Sequence, residues 1–198
     1  MDNIWNPPEP RKGWLGEWDK FVGPGQTRAE LWLIILPSIL AGLILPVYAI
    51  LADLGWSILQ LAVAGLLVCD LTGGVITNAT ATAKRWYHRP SQKWQKHLGF
   101  ISAHALHIAL VAWLFRGMDW VYFAVFYTFL LGACLILVKV KLYIQRPVAM
   151  LLLVIAMAAD FYVFPQITGM EWFIPVLFLK LLVSHLLKEI PFPNTSNE

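Results

Sequence analysis

Residues Leu31–Leu54, "LWLIILPSILAGLILPVYAILADL", form an almost wholly apolar segment that indicates the fold class of this chain. It carries no charged side chain before Asp53. A helix needs about twenty predominantly apolar residues to cross the hydrocarbon core of a bilayer. The segment therefore predicts a transmembrane helix that stays in the mature protein as an anchor.

The composition of the whole chain agrees with this prediction. Of its 198 residues, 59% are hydrophobic and only 14% are charged, whereas soluble domains carry about 25% charged residues. So little polar surface cannot cover a globule in water. We therefore expect an all-α integral membrane protein, located in the cell membrane and crossing it several times.

Five further apolar segments predict a bundle of six transmembrane helices. They are Trp56 to about Thr80, His97–Phe115, Trp120–Val138, Pro147–Phe164, and Ile167 or Trp172 to Leu187. The join between the last two, "PQITGME", is short. A re-entrant pair in place of two separate spans therefore remains an alternative for the end of the chain.

Lysine and arginine in the short loops predict the orientation. Basic residues precede the first span, occupy the loop between spans two and three and the loop between spans four and five, and follow span six, whereas the opposite loops hold only Arg116. Both termini are therefore expected in the cytoplasm. Because the basic residues flank spans and form no stripe, the net charge of +3 indicates no nucleic-acid partner.

This pattern divides the chain into three parts. Residues 1–30 form a cytoplasmic N-terminal segment, in which "GWLGEWDKF" predicts a short amphipathic helix at the membrane interface. Residues 31–190 form the transmembrane domain, and residues 191–198 form a polar tail. Membrane lipids are expected partners, and a second copy of the chain is a further candidate.

Polar residues in the second span mark the first candidate site. At about 100° per residue, Asp70, Gly73, Gly74 and Thr77 fall on one side of a helix, with Asn78 at its edge. Ionisable groups are costly in lipid and commonly have a function. We therefore take Asp70, Thr77 and Asn78 as candidate catalytic residues.

Three histidines in the third span mark the second candidate site. His97, His104 and His107 lie within about a quarter turn of one helix, and the spacing His104-x-x-His107 allows two imidazoles to point at one centre. Asp70 on the antiparallel neighbour lies at a similar depth, about 15 Å from the cytoplasmic end. The pattern predicts one zinc or iron ion, bound by His104, His107 and either His97 or Asp70.

Lys180 is a further candidate residue, because it lies about as deep in the membrane as Asp70 and could form an ion pair with it. The alternative is that Lys180 extends to the cytoplasmic interface. His88 and Arg89, in the loop "WYHRP", are expected near the mouth of the site. We group Lys180, His88 and Arg89 as a candidate pathway for a substrate or an ion.

Three functions fit these residues. The first is an enzyme that acts on a lipid or isoprenoid, in which the metal would activate a water molecule. The second is a small proton- or ion-coupled transporter or channel, or a membrane subunit of a transport assembly, that uses Asp70, His104, His107 and Lys180. The third is an accessory protein in which polar residues only join helices.

The segment "DLTGG", followed by helical histidines, resembles the plasmanylethanolamine desaturase group of membrane lipid enzymes. The resemblance covers about a fifth of the chain. Those di-iron enzymes use more histidines than the five of this chain.

Overall fold

The computed structural model describes residues 5–191, and all regular secondary structure within that range is helical. In chain order the helices are α1 (Trp14–Val22), α2 (Arg28–Leu51), α3 (Ile58–Ala79), α4 (Ala81–Tyr87), α5 (Trp94–Ala103), α6 (Ala105–Leu114), α7 (Trp120–Leu137), α8 (Leu142–Val163) and α9 (Phe173–Phe178), which continues as a π-helical segment (Leu179–His185). The polar tail predicted at 191–198 lies, except for Pro191, outside the described residues.

Five stretches are long and apolar enough to cross a membrane: α2, α3, α5 together with α6, α7 and α8. The prediction of a helical, multi-pass membrane protein is confirmed. Each of these stretches begins and ends within five residues of the predicted span, and side-chain caps are present at the starts of α2, α3 and α7. Thr27 and Ser57, for example, form capping boxes with Glu30 and Gln60 at the starts of α2 and α3.

The third predicted span is two helices that meet at His104. The backbone N–H of His104 donates to the carbonyl of Ile101, and that of His107 donates to the carbonyl of His104. Both are bonds over three residues, as in a 3₁₀ turn. The local tightening changes the direction in which His104 and His107 project relative to His97.

The last apolar helix is shorter than the predicted sixth span. The α-helical part has six residues and the π-helical part has seven, which at about 1.5 Å per residue is less than the thickness of the hydrocarbon core. This helix lies in the centre of the bundle, where side chains such as Phe173, Leu177 and Leu181 are fully buried.

Helices α2 and α3 pack closely because glycines lie at their contact. A Cβ atom added at Gly65 would lie 2.8 Å from the carbonyl oxygen of Gly42, and one added at Gly42 would lie 3.0 Å from the Cβ of Cys69. Small residues allow helix backbones to approach in this way.

Helices α1 and α4 lie together at one end of the bundle. We call this end of the bundle the α4 end. Trp86 donates from Nε1 to the carbonyl of Lys20 at 2.9 Å, and the Tyr87 hydroxyl donates to the carbonyl of Phe21 at 2.6 Å. These two bonds attach the C-terminal part of α1 to α4. Helix α1 is thereby fixed across the opening of a cavity between the longer helices.

Candidate functional site

The cavity has a volume of about 560 Å³ and lies between α1, α2, α3, the α5–α6 junction and the last helix. Its walls are mostly aliphatic and aromatic. Its polar side chains include Asp70, Thr77, Asn78, His104, His107 and Lys180. A mostly apolar cavity of about 300–1,000 Å³ with a few polar groups is typical of a small-molecule site.

A charged pair lies in the wall of this cavity. Lys180 Nζ donates to Asp70 Oδ2 at 2.6 Å, and His107 Nε2 donates to the same oxygen at 2.9 Å. The Lys180 side chain is 5% exposed and that of Asp70 is 42% exposed. The carboxylate is therefore fixed by two donors on one oxygen, while part of it remains accessible.

The two imidazoles beside Asp70 have defined hydrogen-bonding roles. Because an ionised carboxylate only accepts, His107 carries a proton on Nε2, and in the uncharged form of the ring Nδ1 is then an acceptor. That Nδ1 atom is buried and has no hydrogen-bond partner among the described residues. His104 donates from Nδ1 to the carbonyl of Phe100 at 2.9 Å, so its Nε2 is the nitrogen left for a ligand.

Asp70, His104 and His107 also form a candidate metal group, since each has one ligand atom within 4.8 Å of the others. Each of these side chains is a common zinc or iron ligand, but Asp70 and His107 could both bind one ion only if they gave up the 2.9 Å hydrogen bond between them. In addition, the rings of His104 and His107 are stacked, with centroids 4.7 Å apart and planes 24° apart. Lone pairs in nearly parallel planes cannot meet on one ion unless a ring turns.

Gly74 makes room for the ion pair. A Cβ atom at this position would lie 2.1 Å from Lys180 Cε. Any larger residue would therefore displace the lysine chain where it passes over α3 to Asp70. The side of α3 that carries small residues therefore makes room for the Lys180–Asp70 ion pair as well as for helix packing.

A second polar cluster, which we call the histidine chain, consists of Asn78, His185, His97 and His88. His185 donates from Nδ1 to Asn78 Oδ1 at 3.2 Å, because an amide oxygen only accepts. Its Nε2 then accepts from His97 Nδ1 at 3.0 Å. His88 stacks on His97, with centroids 5.0 Å apart, and donates from Nε2 to the carbonyl of His185 at 2.9 Å.

Lys84 lies beside the histidine chain and is almost completely buried. Its Nζ donates to the carbonyls of Ser184 and Leu187, at 2.6 and 2.7 Å. It thereby satisfies carbonyl groups at the C-terminal end of the last helix, where cations are favoured. Burial lowers the pKa of Lys84 to about 8.

His88 stays uncharged at neutral pH. Burial lowers the pKa of His88 to about 3, assisted by repulsion from His97 and Lys84. His88 also lines a second cavity of about 240 Å³ at the α4 end, together with Arg89, His97 and Lys188. The histidine chain therefore runs from the wall of the second cavity to Asn78 in the wall of the first.

The structure brings together only some of the residues that the sequence analysis grouped. Asp70, His104, His107 and Lys180 are adjacent in the first cavity, whose wall also includes Thr77 and Asn78. His97 is not with them, because it lies seven residues, about 10 Å along the helix axis, from His104 and bonds instead to His185. His88 and Arg89 line the second cavity, so the predicted pathway residues are divided between two places.

Sequence reasoning missed His185. On a regular α-helix, Lys180 and His185 would project about 140° apart, so nothing in the spacing suggested that both belong near α3. In the structure the intervening turn is π-helical, with the Leu186 N–H bonded to the carbonyl of Leu181. Turns of this kind are rare and often lie at functional sites.

Comparison with known proteins identifies no relative: no family model, no curated protein and no solved structure matches the chain. The resemblance to plasmanylethanolamine desaturases therefore has no support beyond the residues that suggested it. The fold and the geometry of the cavity are the basis for the function.

Proposed function

We propose that this protein is a membrane-embedded enzyme that acts on a lipid or isoprenoid substrate held in the 560 Å³ cavity. The observation that carries the proposal is the unpartnered Nδ1 of His107, on a ring whose opposite nitrogen is bonded to Asp70. A buried acceptor without a partner is costly. A substrate proton donor would satisfy it.

The Asp70–His107 pair suits general acid–base chemistry. The carboxylate holds the imidazole in one tautomer and stabilises the imidazolium that forms when Nδ1 takes a proton. Lys180, bonded to the same carboxylate oxygen, would supply a positive charge near an oxygen that becomes negative. Apolar walls would hold the chain of the substrate, and Thr77 and Asn78 would orient it.

The test compares the conversion of membrane lipids by the wild type and by His107→Gln. Glutamine can still donate to Asp70 but is not a base. Both proteins would be incubated in nanodiscs with a total lipid extract, and products would be identified by mass spectrometry. We expect the conversion rate to fall at least about 100-fold, the contribution of a general base. Unchanged conversion by the variant would contradict the role of His107.

A cavity control uses two positions on α2. Ile35 lines the cavity, whereas Leu36 is exposed on the same helix and does not line it. Ile35→Trp is expected to fill the cavity and abolish conversion, and Leu36→Trp is expected to leave conversion unchanged. If the wild type converts no lipid in the extract, the enzymatic proposal fails.

A metal-dependent form of this enzyme is supported by the grouping of Asp70, His104 and His107. One zinc or iron ion bound by these side chains would supply Lewis-acid chemistry or an activated water. Elemental analysis of protein never exposed to a chelator tests it. Near-stoichiometric metal that is lost in a His104→Ala/His107→Ala variant would support the ion, and metal-free wild type would exclude it.

For the topology, we propose six crossings of the cell membrane with the α4 end and both termini in the cytoplasm. Supporting this, thirteen of the fifteen lysines and arginines lie near the α4 end, and Arg116 and Lys180 are the exceptions. The short last helix would complete the sixth crossing with irregular flanking segments, which membranes tolerate where protein surrounds them. Labelling of single cysteines placed in the loops, in intact cells, tests this orientation.

Transport is the second candidate, because the histidine chain joins the walls of the two cavities. Asn78 lines the first cavity and His97 lines the second. Proton flux into proteoliposomes, measured with an enclosed pH dye, would support transport if it were lost in His97→Phe. Absence of flux in the wild type would exclude proton transport.

A further inference from the structure

The charges in the wall of the first cavity restrict the headgroup of its ligand. Lys180 and Asp70 are the only lysine, arginine, aspartate or glutamate side chains among the described residues that line it, and they neutralise each other at 2.6 Å. An anionic headgroup would have to approach Lys180 beside the Asp70 carboxylate, which would repel it. A cationic headgroup would meet the Lys180 ammonium. The electrostatics of the wall therefore favour an uncharged headgroup.

The free hydrogen-bonding atoms restrict the headgroup further. His107 Nδ1 is a buried acceptor without a partner among the described residues, so a ligand reaches it when the ring shifts toward the cavity. Both bonds to Asp70 fall on Oδ2, which leaves Oδ1, on a side chain that is 42% exposed, as a second acceptor. Two acceptors call for a headgroup that donates a proton. An ammonium ligand is disfavoured by Lys180, and an ester or ether has no proton to donate. A hydroxyl group donates one hydrogen bond and accepts another, so it can bond to His107 while accepting from Lys180.

The remaining surface of the cavity restricts the tail. Aromatic and aliphatic side chains from α1, α2 and α5, including Trp18, Phe21, Ile35 and Phe100, line the rest of the volume. Burying apolar surface against them stabilises the complex in proportion to the area removed from water. Such walls fit a hydrocarbon chain.

We infer that the ligand of this cavity is an uncharged lipid alcohol, such as a free prenol, whose hydroxyl hydrogen-bonds to Nδ1 of His107. This inference deepens the proposed function and rests on it. The proposed function allows any lipid or isoprenoid as the ligand. The inference narrows the ligand to lipid alcohols and excludes phospholipids and prenyl phosphates.

The experiment compares three probes with one hydrocarbon chain: farnesol, farnesyl methyl ether and farnesyl phosphate. Each would compete with radiolabelled farnesol for the full-length protein in nanodiscs of uncharged lipid. We expect the ether and the phosphate to bind at least about tenfold more weakly than the alcohol, the effect of one buried hydrogen bond left unmade. His107→Leu should reduce farnesol binding to the level of the ether and leave ether binding unchanged.

Two controls separate the inference from the proposed function. Ile35→Trp should abolish binding of all three probes, and Leu36→Trp should preserve it. If the phosphate binds as tightly as the alcohol or more tightly, or if the ether equals the alcohol, the inference is overturned while the cavity remains a lipid site. If none of the probes binds, the inference is overturned, and the conversion of the lipid extract still decides the proposed function. If Ile35→Trp changes neither binding nor conversion, the cavity is not the site and the proposed function fails with the inference.

Discussion

The two polar clusters of this protein contain similar side chains but differ in what is left unsatisfied. In the histidine chain, both nitrogens of His185 have a partner, and so does the Asn78 amide oxygen to which it donates. In the cluster around Asp70, His107 Nδ1 has none among the described residues. A polar group that is satisfied internally stabilises a fold, whereas a buried one that is left without a partner costs free energy, which a ligand that bonds to it would recover.

The clusters also differ in charge. The Asp70 cluster contains an ion pair between the buried Lys180 and the partly exposed Asp70, whereas the histidine chain consists of neutral rings and an amide beside the buried cation Lys84. Removing one partner of a buried ion pair costs more than removing a neutral hydrogen bond. Four measurements can therefore separate the two clusters.

The largest effect is expected from Asp70→Asn, which leaves the Lys180 ammonium buried without its counter-charge. We expect the free energy of unfolding to fall by about 3–5 kcal/mol, measured by titration with SDS in mixed micelles. The double variant Asp70→Asn/Lys180→Met should recover much of the loss, because no uncompensated charge remains. If the double variant loses as much as the sum of the single ones, the two side chains are not coupled.

Acidification is expected to act on the histidine chain through His88. Its pKa is about 3 in the folded protein and about 6.5 when unfolded. Between these values the unfolded state binds more protons, so stability is full above pH 6.5 and is lost as the pH falls toward 3. The loss should be about 5 kcal/mol at most. In His88→Gln this part of the pH dependence should disappear, and an identical pH profile would refute the assignment.

A steric test distinguishes Gly74 from other helical glycines. Gly74→Ala is expected to destabilise the protein by about 1–3 kcal/mol, because the new methyl group overlaps the Lys180 chain. Gly132 in α7 has open space around it, so Gly132→Ala should be neutral or stabilising by up to about 1 kcal/mol. Equal effects of both substitutions in thermal unfolding would mean that Lys180 does not pass over Gly74.

The smallest effect is expected at Asn78. Asn78→Ala leaves the Nδ1–H of His185 buried without an acceptor, at a cost of about 1–2 kcal/mol. Because that bond fixes the tautomer of His185, ¹⁵N NMR of the imidazole should show a mixture of tautomers in the variant and a single one in the wild type. A single unchanged tautomer in both proteins would mean that Asn78 does not set it.

Part of the candidate site could be predicted from the sequence. Helix periodicity placed Asp70 and Thr77 on one side of α3, and depth counting placed Lys180 and His107 near Asp70. The separation of His97 from His104 follows from the seven residues, about 10 Å of helix, between them, which the prediction of a shared metal site left out of account. The position of His185 could not be predicted, because it depends on a π-helical turn that the surrounding bundle imposes.

The apolar runs of about twenty residues were enough to predict a helical membrane protein, because such runs are stable in lipid when they are helical. The rise per residue was enough to place Asp70 and His107 at a similar depth. Which polar side chains meet could be seen only in the packed helices. That depends on side-chain direction, which changes by about 100° for each residue inserted or removed by an irregular turn.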